Sequence, residues 1–169
     1  MSQPVDKLNE LSADEARAEL LKCCGSRRWA SEMAGGRPFE TLDELLAEAD
    51  RVWQSLSEAD WLEAFRAHPK IGEQKAATTQ SAEARKWSAQ EQSRVAAAST
   101  QTISQLAEKN REYENRFGFI FIVCASGKSS EEMLEILTHR LANDAEAELL
   151  NAAEEQRKIT GLRLQKLLG

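Results

Sequence analysis

The sequence predicts an all-α protein: a single-domain multi-helix bundle over residues 1–169, with one short irregular or extended apolar connector near residues 117–126. Three observations carry this expectation. Helix-forming Ala, Leu, Glu, Gln, Arg and Lys are abundant and there are only 3 prolines. A hydroxyl residue followed three positions later by an acid recurs at Ser12 with Glu15, Thr41 with Glu44, Ser57 with Asp60, Ser88 with Glu91, and Ser129 with Glu132. In each, the hydroxyl can satisfy orphan amides of a first turn while the acid complements the positive helix end. Finally, the apolar stripes around the chemically interesting residues run at helical spacing. A chain of 169 residues is long enough for one domain with a real core.

Five starts are therefore marked, and further helices are expected over roughly 26 to 34 and 144 to 168. Gly25, the Gly35-Gly36 pair and Gly127 supply breaks. No internal repeat is present. The helix that begins near Ser57 carries Trp61, Leu62, Phe65 and His68 on one side and stops at Pro69, which disfavours helical backbone before it. Residues 70 to 87 lack steady apolar periodicity and read as a polar loop, which at that length is often a functional lid. From Ser88 to Phe117 a stripe of Val95, Ile103, Leu106, Tyr113 and Phe117 is helical in spacing. Phe117 to Ala125 has strand-like composition but no second strand to pair with, so it reads as a buried helix end or an extended connector. A connector there would offer backbone amides and carbonyls to a ligand.

Charge and cysteine usage exclude several classes. A net charge of -6 without a basic run argues against a nucleic-acid partner. The longest apolar run, Phe117 to Ala125, is too short to span a bilayer, and the N-terminus lacks a basic region followed by an apolar core, so no membrane association is expected. Cys23, Cys24 and Cys124 form no CxxC pair, which suggests reduced thiols in a cytoplasmic compartment. Only two histidines exist and no clustered Cys/His spacing is present, so no metal is expected. No GxSxG elbow appears, and Cys124 sits in an apolar run where a thiol stays protonated.

What survives is acid/base chemistry. His68 is an ionisable imidazole aimed inward at a helix end, where carbonyls favour its charged form and burial opposes it. Its bland alternative is a capping or hydrogen-bonded core histidine. Glu91 and Gln92 flank the next stripe; Glu91 serves equally as a cap, whereas an inward Gln92 needs polar partners to offset about 1–3 kcal/mol of desolvation. Arg163 lies between Ile159 and Leu167 on an apolar side, where a guanidinium calls for an anion or carbonyl, or else snorkels outward or pairs with an internal acid; Lys166 shares that face. His139 lies on a polar face with Glu132 and Glu135 and reads as a solvated surface residue.

Four pieces in order carry a resemblance. They are His68-Pro69-Lys70-Ile71-Gly72; Trp87-Ser88-Ala89-Gln90-Glu91-Gln92; Asn110 to Tyr113 leading into Arg116-Phe117-Gly118-Phe119-Ile120-Phe121-Ile122-Val123-Cys124-Ala125; and Lys158-Ile159 with Leu162-Arg163-Leu164. Over roughly residues 10 to 168 the chain closely resembles the 2-oxo-4-hydroxy-4-carboxy-5-ureidoimidazoline (OHCU) decarboxylase family. The resemblance implies an all-helical homodimer that converts OHCU to (S)-allantoin in urate degradation, without a cofactor. It implies His68 as the catalytic acid, Glu91 as the partner that orients it or the substrate, and Arg163 as a contact to the substrate's polar groups. Pro69, Ser88, Ala89, Gln90, Gln92 and the backbone of Phe121, Ile122, Val123, Cys124 and Ala125 would line the site.

Lys70-Ile71 stands where animal and plant members often have Asp-Leu, which places the chain nearer a bacterial subgroup, and the chain ends Leu-Leu-Gly without a peroxisomal tripeptide, which favours a bacterial cytoplasm. Two rivals remain at this point: a non-catalytic helical module that binds a protein partner in an apolar groove, and the same fold acting on another small ureido acid.

Overall fold

The computed structural model describes residues 3–68, 86–87, 90 and 100–169. Among these residues the structure is helical, with no strand. Eight helices have defined bounds: α1 Asp6–Asn9, α2 Ala13–Leu21, α3 Arg27–Gly35, α4 Leu42–Ser55, α5 Glu58–Arg66, α6 Thr100–Phe117, α7 Ser130–Arg140 and α8 Ala145–Leu168.

The start signals act as expected wherever they are described. Ser12 Oγ accepts from the Glu15 amide, Thr41 Oγ1 from that of Glu44, and Ser57 Oγ from that of Asp60. At Ser129 both halves of the reciprocal arrangement form, because the Glu132 carboxylate accepts from the Ser129 amide in return. Two further caps lie outside the repeated pattern. Ser26 Oγ accepts from Trp29 N at the start of α3, and Asp144 Oδ1 from Ala147 N at the start of α8. The Ser88 signal lies outside the described residues, as does most of the segment from Ser88 to Thr100.

The chain forms two compact units, Met1–Ala64 with Arg157–Gly169, and Phe65–Gln156, so their boundaries fall inside α5 and α8. In the first unit α2, α3 and α4 bury Leu20, Trp29, Met33, Leu45 and Val52, each contributing about 1.5–3 kcal/mol by leaving water. Polar contacts tie its N-terminal segment to the turn after α3. Arg37 donates to the carbonyls of Leu8, Leu11 and Ala34, and Asn9 exchanges two hydrogen bonds with the backbone of Phe39. Glu63 accepts from the backbone and side chain of Arg27 at the first turn of α3.

In the second unit the core is Leu106, Tyr113, Phe121, Val123, Ala125, Met133 and Leu137, with Phe117, Phe119 and Leu134 packed against it. Tyr113 meets Phe119 and Phe121 edge-on, at centroid distances of 5.8 and 5.5 Å. Helix α6 stops at Gly118, whose φ of +82° suits a residue without Cβ and whose amide closes onto Glu114 O. From there to Ser129 the backbone is irregular, and Phe121 to Ala125 are buried. The segment is thus the extended connector rather than a helix end.

Candidate functional site

His68 follows the last turn of α5. Its amide donates to Phe65 O at 3.2 Å, and Phe65 is fully buried, packed 5.5 Å from the ring of Phe119. Trp61 and Leu62, expected on the same buried stripe, are only half-buried, as is His68. The imidazole is engaged: Nε2 lies 2.6 Å from Gln156 Oε1, and Gln156 is fully buried on α8.

Charged side chains hold three main-chain groups of the connector, at Ile122 and Cys124, which are therefore not left open to a ligand. Cys124 N donates to Glu155 Oε1 at 3.1 Å, Lys128 Nζ donates to Cys124 O at 2.7 Å, and Arg140 Nη1 donates to Ile122 O at 2.6 Å. Buried irregular backbone cannot satisfy itself as a helix does, so it recruits side chains.

Arg140 is itself the centre of a buried network. Its Nε and Nη2 lie 2.9 and 2.8 Å from Glu148 Oε2, which also accepts from the Tyr113 hydroxyl, while Glu148 Oε1 accepts from Asn143 and Asn151. Burial pushes the Glu148 carboxyl up, but donors from Arg140, Tyr113 and Asn143 outweigh it and leave it below the usual range. Burial also holds the Tyr113 hydroxyl well above the usual phenol range, so it remains a donor. The guanidinium further packs 4.8 Å from the Phe121 ring centroid.

In the first unit Arg163 is 3% exposed, as its position between Ile159 and Leu167 requires. Lys166 does not share that burial; it is exposed. Near Arg163, the Cys24 thiol bonds the Thr160 side chain and the Ser26 backbone, and burial pushes it up to about 11. All three cysteines are buried thiols.

Of the remaining candidates, Pro69, Ser88, Ala89, Glu91 and Gln92 lie outside the described residues. Gln90 is helical and exposed. Lys86 and Trp87, expected as the end of a polar loop, are helical, and Trp87 is buried. Phe121, Ile122, Val123, Cys124 and Ala125 are buried as a set. His139 is exposed, as expected.

Sequence reasoning missed Arg140, Glu148, Glu155 and Gln156. One signal was present: Glu148, Ala152 and Gln156 follow one another at four-residue spacing, and all three are fully buried. Polar groups at such positions imply partners.

Comparisons with known proteins agree with this picture. The family model for OHCU decarboxylase matches residues 9–165. The chain is 39% identical over 158 residues to the uric acid degradation bifunctional protein TTL of Arabidopsis thaliana, covering 94% of this chain and 48% of that protein. It is 27% identical over 162 residues to the uric acid degradation bifunctional protein of a Bacillus strain, covering 95% of this chain and 31% of that one. The chain thus spans half or less of the length of these two relatives. A crystal structure of an OHCU decarboxylase in the presence of (S)-allantoin superposes with a TM-score of 0.77 at 41% identity, covering 89% of this chain and 96% of that chain.

Proposed function

The chain belongs to the OHCU decarboxylase family, and on that premise we propose that it is a carboxy-lyase converting OHCU to (S)-allantoin in urate and purine degradation. The observation that carries this reading is the likeness, over nearly the whole chain, to an OHCU decarboxylase solved with (S)-allantoin. In the reaction the bond from the ring carbon to the carboxylate breaks and carbon dioxide leaves. The electron pair passes into the substrate's own conjugated imidazoline, so no pyridoxal, thiamine or metal sink is required. A proton then enters from one face, which makes a single allantoin enantiomer.

In this reading His68 is the catalytic acid, Glu91 orients the imidazole or the substrate, and Arg163 contacts the substrate's polar groups through its fork of N–H donors. Pro69, Ser88, Ala89, Gln90, Gln92 and the backbone of Phe121 to Ala125 line the site. A half-buried ring whose Nε2 is fixed by Gln156 suits delivery of a proton in a set direction. The single-domain organisation, the homodimer and the cytoplasmic setting belong to the same reading. Among the described residues no helix is long and apolar enough to cross a membrane.

The test generates fresh OHCU with uricase and hydroxyisourate hydrolase and follows the dextrorotatory product by circular dichroism. Wild type accelerates its appearance, and His68→Asn loses about 100-fold or more of that acceleration, the scale of a missing general acid. Equal rates with and without the wild-type protein would overturn the reading and favour a binding module.

A further inference from the structure

We propose that Gln156 is a positioning residue for His68: its carbonyl oxygen accepts the Nε2 proton and so holds the neutral imidazole as the Nε2–H tautomer. The role it serves rests on the reading of His68 given above. A carboxamide oxygen 2.6 Å from a ring nitrogen requires that nitrogen to carry the hydrogen. Gln156 is itself fully buried on α8, which fixes the place of its carboxamide. With the hydrogen at Nε2, the lone pair of the neutral ring is at Nδ1. With Nε2 already protonated, a further proton from solvent water enters the ring at Nδ1, and its transfer to the carbon that has lost carbon dioxide returns the neutral ring.

The neighbouring residue extends the device. Glu155 Oε1 accepts from Cys124 N at 3.1 Å, so two successive residues of α8 hold the ring and the connector's main chain. A helix rises about 1.5 Å per residue and is stiff over one step, so the ring and the connector amide are held in fixed relation. Such a clamp positions groups for reaction more than it binds a ligand.

The experiment is nitrogen-15 NMR of the histidine rings in the whole chain at about pH 8, where an ordinary histidine is neutral. The chain has two histidines, and exposed His139 is the internal reference for tautomer averaging. In wild type, His68 shows a protonated Nε2 and an unprotonated Nδ1. In Gln156→Leu that pattern collapses toward the average shown by His139. Gln156→Glu, which still presents an acceptor oxygen, keeps Nε2 protonated. In the OHCU assay Gln156→Leu lowers kcat about tenfold or more while KM moves less than about twofold, as expected for lost positioning.

The proposal is overturned if wild-type His68 shows the Nδ1–H form or the same averaging as His139, or if Gln156→Leu leaves the His68 signals unmoved. The wild-type spectrum decides this without any variant having to fold. A His68 pattern as proposed in a protein that does not decarboxylate OHCU upholds the clamp and removes the proposed decarboxylase activity.

Discussion

Glu148 is a carboxylate without solvent exposure, held by a guanidinium, a phenol and two carboxamides. Removing one partner of such a pair costs far more than the pair contributes, because the other charge stays buried. Glu148→Gln keeps the volume and leaves Arg140 without its counter-charge. We expect it to lower unfolding free energy by about 3–5 kcal/mol in urea titration. A loss below about 1 kcal/mol would mean that water reaches the site, as at a surface pair. At this scale the sequence was legible where a polar residue continued an apolar stripe, as for Arg163. It was illegible at Arg140, which follows His139 on a helix whose outer face is charged and whose acidic partner lies beyond the next turn.

At the scale of elements, the capping pattern and the glycines specify where helices begin and end. Around the start of α7, Ser129 makes two reciprocal hydrogen bonds with Glu132, and Gly127 has a φ of +78°. A Cβ added at Gly127 would meet nothing within 4 Å, so only backbone conformation opposes it. Ser129→Ala is expected to cost about 1 kcal/mol from the lost cap. Gly127→Ala should cost about 1–2 kcal/mol from the left-handed backbone alone. Chemical denaturation reads both, and unchanged stability in both variants would show that the turn does not specify the start of α7. The connector before it was recognisable as an exception, since one apolar run cannot form a sheet. Its anchoring by Arg140, Lys128 and Glu155 was not, because those side chains come from residues outside the run.

At the scale of the molecule, three buried groups set how stability changes with pH. Glu148 sits below its ordinary value of 4.5 when folded, so its contribution is complete above 4.5 and is lost as pH falls through the folded value. Cys24 is raised from 9.0 to about 11, and Tyr113 is raised from 10.0. Above 9 the unfolded chain releases these protons while the folded chain keeps them, so stability declines as pH rises. Urea midpoints should therefore plateau between about pH 5 and 9 and fall on both sides, reflecting ordinary carboxyl and thiol titration outside that window. A midpoint still rising between pH 9 and 11 would contradict the burial of Cys24 and Tyr113. What the sequence alone determined was the helix starts at Ser12, Ser26, Thr41, Ser57, Ser129 and Asp144 and the inward positions of Phe65 and Arg163, because capping spans three residues and burial follows a 3.6-residue period. Only tertiary structure decided that His68 meets Gln156, 88 residues away, and that Arg140 meets Glu148 and Ile122. Those partnerships depend on how separate elements pack, and no local periodicity encodes a hydrogen bond between them.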